Sequence, residues 1–166
     1  MRTVALCTVF LMVLLSAAFA PAQNSEAENA ICTFEDGKQM TARYTPIPTG
    51  RNETPPANKP LTPGGSAMTF FTETDVVLGN RTIPTGGYTL YIISNKKEWT
   101  LVVSKNTVVE AKYDEKLDLA RAPMELGQLS TPAEKLALYF GHTGAKKCEI
   151  DVDYGKMRGW VEFRQK

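Results

Sequence analysis

Lys147-Cys148-Glu149-Ile150-Asp151-Val152-Asp153-Tyr154 reads as one strand with two unlike faces. Cys148, Ile150, Val152 and Tyr154 fall on one side and Glu149, Asp151 and Asp153 on the other, the two-residue period of a strand buried on one face and wet on the other. Outward from this stretch the same period recurs and the 3.6-residue period of helices is scarce. Strands are predicted at Arg158 to Phe163 and Leu136 to Gly141 beside it. Further towards the N-terminus they are predicted at Ala122 to Leu126, Trp99 to Ser104, Tyr88 to Ser94, Asp75 to Leu78, Met68 to Thr72, Gln39 to Tyr44 and Ala30 to Phe34. Between them lie turn signals, the strongest being Asp36-Gly37, where both residues tolerate positive φ. About ten short strands so punctuated predict an all-β fold, an antiparallel β-sandwich. In Tyr88 to Ser94 both faces are apolar, so that strand is expected to be covered on both sides. Trp99 shares a face with Leu101 and Val103 and reads as core. The best helical candidate is one or two turns at Asp114 to Ala120, with Asp114 as N-cap.

The compartment follows from the first 22 residues. A basic start at Met1-Arg2, an apolar run from Val4 to Leu15 and the small residues Ser16 to Ala22 have the tripartite layout of a secretory signal peptide. Ala20-Pro21-Ala22 satisfies the A-x-A pattern, which places cleavage after Ala22 and the mature start at Gln23. The apolar run is shorter than the roughly 20 residues that span a bilayer, so no transmembrane segment is expected in the mature chain. Residues 23–166 fit one domain. The expected location is the periplasm or the cell exterior. Cys7 lies inside the apolar run, leaving Cys32 and Cys148 as an even pair in an oxidising compartment, which reads as a disulfide. A bridge needs Cα atoms within about 7 Å, so the first and the penultimate strands must be neighbours.

Charge excludes one class of partner. The chain carries 19 Lys+Arg and 18 Asp+Glu, and the leader removes Arg2, so the mature chain is formally neutral. Nucleic-acid binding, which rests on basic patches that displace counterions from phosphates, is not expected. Thr45 to Gly65 holds Pro46, Pro48, Pro55, Pro56, Pro60 and Pro63 of the chain's 10 prolines and no hydrophobic period. It is expected to be a long, mobile surface loop rather than a binding loop, because it lacks aromatic anchors.

Few residues carry a chemical signature. No metal site is expected, since the chain has a single His and its two mature cysteines are committed to each other. Glu149, Asp151 and Asp153 supply too few oxygens for calcium. No cofactor is expected either. His142 stands in the turn-like Gly141-His142-Thr143-Gly144 without a nucleophile motif, so no catalytic residue is assigned. Trp160 is the exception of interest. Alternation in Arg158 to Phe163 turns Val161 and Phe163 inward and Arg158, Trp160 and Glu162 outward, and an indole between a cation and a carboxylate suits a sugar, stacked on the ring and hydrogen-bonded by the charges.

Several landmarks occur in an order that resembles a known family. Cys32-Thr33-Phe34-Glu35-Asp36-Gly37-Lys38, Thr74-Asp75-Val76, Ile83-Pro84-Thr85-Gly86-Gly87-Tyr88-Thr89-Leu90-Tyr91, Glu98-Trp99-Thr100-Leu101, Tyr113-Asp114 and Leu119 to Met124 look like the exported bacterial family called domain of unknown function 2911. The resemblance implies a β-sandwich in a Gram-negative envelope or secreted setting and implies no established activity. One stretch departs from the family pattern. Where its members typically carry Trp-Arg followed by Gly-Ala-Asn-Glu, this chain reads Leu61-Thr62-Pro63-Gly64-Gly65-Ser66-Ala67.

These readings converge on a non-catalytic binding or interaction module of the cell envelope, with a glycan or an envelope protein as ligand. Two alternatives belong to other classes. One is a hydrolase with a site assembled in space around His142 and carboxylates. The other is a structural accessory subunit that pairs through an edge strand.

Overall fold

A computed structural model describes residues 26–95, 97–108, 110 and 112–166. The signal-peptide reading falls outside the described residues. Eleven strands follow one another: β1 (Glu28–Thr33), β2 (Gln39–Tyr44), β3 (Met68–Thr72), β4 (Val76–Leu78), β5 (Arg81–Ile83), β6 (Gly86–Ser94), β7 (Trp99–Ser104), β8 (Asp118–Gln128), β9 (Ala137–Gly144), β10 (Lys147–Tyr154) and β11 (Met157–Gln165). The expected all-β antiparallel fold is present, with every ladder antiparallel and the order β1-β2-β3-β6-β7-β8-β11-β10-β9. The short β4–β5 hairpin attaches through β4 to the end of β11.

One long strand converts two layers into a nearly closed barrel. The first part of β8 pairs with β7, up to Trp99↔Met124, and its last residues, Glu125 to Gln128, pair with β11. Pro123, which has no N–H to give a ladder, sits just before this change of partner. On the opposite side β1 and β9 lie beside each other, and no ladder joins them among the described residues. That seam is fastened in three places: Lys135 pairs with Glu28 at 2.7 Å, Cys32 is bonded to Cys148, and the Glu35 N–H donates to the Ala145 carbonyl at 3.4 Å. The edges an accessory subunit would pair through are therefore turned towards each other.

The alternation read from the chain is the alternation that fills the core. Cys148, Ile150, Val152 and Tyr154 face inward with Leu90, Ile92, Leu101, Val103 and Phe163, and Trp99 lies among them. Gly159 on β11 makes room for the Trp99 indole, since a Cβ there would stand 2.6 Å from the ring. β6 is covered on both faces: Tyr91 and Ile93 form a small second cluster with Ala67, Val102 and Tyr113 on its outer side.

Three local features differ from expectation. The helical segment is one 3-10 turn, Glu115–Leu117, with the Asp114 carboxylate accepting from the Lys116 N–H at 3.0 Å. It stops there because Asp118 to Ala120 pair with Ser104 and Val103 of β7, and that ladder outweighs weak helix propensity. β5 was not anticipated; three residues leading from a turn are too few for a period. The segment between β2 and β3 is a strap bound along its length. Leu136 and Thr49 donate backbone N–H groups to Ile47 and Glu134, and Asn58 and Leu61 donate theirs to Ser94 and Ile92. Leu61 enters the core at 3 % exposure. Its prolines supply no donors of their own, so neighbouring residues carry the backbone bonds.

Candidate functional site

The outer face of the β8–β11–β10–β9 layer holds the residues singled out in the chain. Register places Trp160 opposite Glu125 of β8 on one side and Asp151 of β10 on the other, with Tyr139 of β9 beyond Asp151. The row therefore runs Glu125, Trp160, Asp151, Tyr139, a carboxylate flanked by two aromatic rings. The next row is Glu162, Glu149 and Gly141. Trp160 is half-buried and leans over Gly127, where a Cβ would lie 3.0 Å from the ring. Glycine at 127 lets the indole lie along the sheet.

Arg158 and Glu162 face outward as expected, but both have partners within the chain. Arg158 grips Asp153 with two nearly parallel bonds, Nε to Oδ1 at 2.7 Å and Nη2 to Oδ2 at 2.9 Å. It also lies over the Tyr139 ring, 5.2 Å from the centroid. The hydrogen bonds it donates to Asp153 raise its pKa above the usual arginine value. Glu162 accepts from Lys147 at 3.1 Å. A bidentate guanidinium–carboxylate pair is rigid as well as strong, so Arg158 is fixed in place before any ligand arrives.

Asp151 makes no hydrogen bond to the described residues, and the neighbouring Tyr139 hydroxyl is buried without a partner among them. Although it lies on the strand's predicted wet side, Asp151 is only 8 % exposed, in register between Trp160 and Tyr139 and near Arg158. Its nearest cation is Arg158 at 4.0 Å, beyond hydrogen-bond length, and no donor serves it among the described residues. Burial pushes its pKa up; Arg158 opposes this and Asp153 adds to it. Glu149 is also raised, by burial first and then by the carboxylates of Asp151, Glu125 and Glu162. Tyr139 is pushed up to about 12, mainly by burial, with Asp153 and Asp151 contributing. Gly141 stands 3.9 Å from Asp151 Oδ2 as measured from where its Cβ would be, so no side chain occupies that approach.

A pH prediction follows. Because the folded chain holds the Asp151 proton more tightly than the unfolded one, ionised Asp151 costs stability above its folded pKa, and the cost is absent below the ordinary aspartate value. Asp151→Asn is expected to melt higher than the parent at pH 7, with the gap closing by about pH 3. Parallel melting curves at the two pH values check this; a variant less stable at pH 7 would show that the carboxylate is satisfied.

Other candidates fare less well. His142 is exposed on β9 opposite Cys148 at a bulge, and it makes no side-chain hydrogen bond to the described residues. No group of three His, Cys, Asp or Glu among the described residues is placed to hold a metal ion. A hollow of about 410 Å³ lies between the strap and the barrel end and is walled by Pro55, Trp99, Leu126 and Met157. Two of its polar groups are already engaged: Ser94 donates to the Pro55 carbonyl at 2.9 Å, and the Asn95 side-chain oxygen accepts from Lys97 and Glu98.

Alternation alone turns Trp160 outward, and it gives no sign that Asp151 and Tyr139 are its neighbours. Tyr139 belongs to an alternating segment, but only the register of two ladders sets it beside Asp151. No helix among the described residues is long and apolar enough to cross a membrane. No curated protein and no solved structure matches the chain. Residues 29–163 match the family described as Protein of unknown function (DUF2911), and the chain belongs to that family.

Proposed function

We propose that this protein is an exported, non-catalytic binding module of the bacterial cell envelope that recognises a glycan on the Trp160–Asp151–Tyr139 face. Export rests on the N-terminal reading, and the Cys32–Cys148 bridge is what an oxidising compartment permits. The observation that carries the ligand reading is the buried Tyr139 hydroxyl, which has no partner among the described residues, beside Asp151, a largely covered carboxylate that makes no hydrogen bond to them. Buried polar groups are nearly always paired, and one left waiting on an outward sheet face is suited to a partner that brings its own hydroxyl donors. A sugar does so while offering C–H surface to the half-buried indole. Arg158 and Glu162 border the site as positioning residues, held by Asp153 and Lys147.

The test is calorimetric titration of the oxidised protein with soluble envelope and capsular oligosaccharides. Wild type is expected to bind one class saturably, with Trp160→Ala weakening it about tenfold through lost stacking. Asp151→Asn is expected to bind at least as poorly while melting no lower than wild type, which separates a lost contact from a lost fold. Oligosaccharide binding unchanged in both variants, or absent across the panel, would sink the proposal.

A further inference from the structure

The opposite layer has its own outward face, built from β1, β2, β3 and β6. Two rows of residues cross it in register: Ile31, Thr41, Phe71 and Gly87, and beside them Asn29, Arg43, Thr69 and Thr89. The first row ends on a glycine above which there is open space, since a Cβ at Gly87 would meet nothing within 4 Å. The missing side chain leaves one flank of the Phe71 ring bare. Phe71 is 49 % exposed and Ile31 is 52 % exposed, unusual for large apolar residues on a strand. The result is a groove of about 350 Å³, bounded on one side by Thr107. That is the lower end of the range for small-molecule sites.

Its electrostatics are one-sided. Arg43 lines the groove and makes no ion pair among the described residues, unlike Arg121, Arg158 and Arg164. Thr69 stands opposite it on β3 and Thr41 two residues before it on β2, and both line the groove.

We propose that this groove binds a small amphipathic organic acid, a single carboxylate on a short aliphatic chain or ring. The apolar portion lies in the gap over Gly87 against Phe71 and reaches towards Ile31. The carboxylate pairs with Arg43, which presents a planar fork of donors matched to two oxygens. A membrane surface is the wrong occupant, because docking to anionic lipid takes a cluster of basic residues and the groove's lining offers one among the described residues. The site lies on the other layer from the Trp160 face and does not depend on it.

The experiment uses 8-anilinonaphthalene-1-sulfonate as a fluorescent reporter on the oxidised protein, displaced by octanoate. Saturable one-to-one displacement is expected, with octan-1-ol at least tenfold weaker because it cannot pair with Arg43. Arg43→Gln should weaken octanoate by about tenfold or more and leave octan-1-ol unchanged. Arg51→Gln, an exposed arginine on the strap, should change neither. Gly87→Val fills the gap without a clash and favours the strand, so it should abolish displacement while melting no lower than wild type. Octan-1-ol competing as well as octanoate, or Gly87→Val binding like the parent, would overturn the assignment. So would Arg43-dependent co-sedimentation with phosphatidylglycerol vesicles in the absence of octanoate binding.

Discussion

Replacing both Cys32 and Cys148 by alanine is expected to lower the unfolding free energy by about 4–5 kcal/mol, because the bridge closes a long loop in the unfolded chain. The two residues are 116 positions apart, with Cα atoms 6.3 Å from each other in the folded protein. The location adds a second consequence. The bridge ties β1 to the β9–β10 side of the barrel, at the seam where β1 and β9 lie beside each other with no ladder among the described residues. Without it the seam is held by the exposed Lys135–Glu28 pair, a weak substitute, and by the contact at Glu35. The alanine pair should therefore also expose the β1 edge and promote self-association. Urea unfolding followed by circular dichroism, with light scattering on the same samples, reads both effects. A midpoint shift worth less than about 1 kcal/mol would mean the unfolded chain is already compact enough to make the cross-link redundant.

Gly155→Ala is expected to be the most damaging single substitution on the strap's docking line. Gly155 turns β10 into β11 with φ of +56°, a conformation that costs an L-residue about 1–2 kcal/mol. A Cβ there would also lie 2.5 Å from the Glu53 carbonyl oxygen and 2.8 Å from that of Gly50. Both are backbone atoms of the strap and cannot swing away, so overpacking adds about 1–3 kcal/mol. The strap must lift or the turn must deform. Lifting breaks the bond from the Tyr154 hydroxyl to Glu53 and the one from the Gly155 N–H to Thr49. The expected result is a loss of about 2–5 kcal/mol together with faster tryptic cleavage after exposed Arg51. Gly37→Ala is the internal control, since Gly37 shares a positive φ of 84° but has nothing within 4 Å of its Cβ position. It should lose only the conformational part and leave cleavage at Arg51 unchanged. Equal behaviour of the two variants would show that the strap is not seated on the turn.

The two effects differ in how they relate to the chain as read residue by residue. The disulfide was legible because it needs only an oxidising compartment and an even count of cysteines, and its closure then forces the chain ends together. The Gly155 contact was not. Tyr154-Gly155-Lys156 reads as an ordinary turn, and nothing near it announces that carbonyls from a proline-rich stretch a hundred residues earlier will pack against it. The strap itself was misjudged for the same reason: its composition lacks a period, and its order comes from single bonds to Ile92, Ser94, Glu134 and Leu136.

The Trp160 face shows the same division within one strand. That Trp160 points outward and Phe163 inward follows from alternation over a few residues. That Arg158 is locked onto Asp153 and that Tyr139 stands across Asp151 from Trp160 follows from how β9, β10 and β11 pair. The wet side predicted for β10 is half covered, with Asp151 only 8 % exposed in register between Trp160 and Tyr139.

Strand positions, the turn at Asp36-Gly37, the core assignment of Trp99 and the cysteine pairing all rest on properties a residue shares with its near neighbours, so the linear chain was sufficient for them. Closure of the barrel through β8, the seating of the strap, and the row of Trp160, Asp151 and Tyr139 depend on register between segments far apart. A slip of one residue would carry every side chain of a strand to the other face. That choice is made collectively by the buried halves of eleven strands, and no short stretch of the chain contains it.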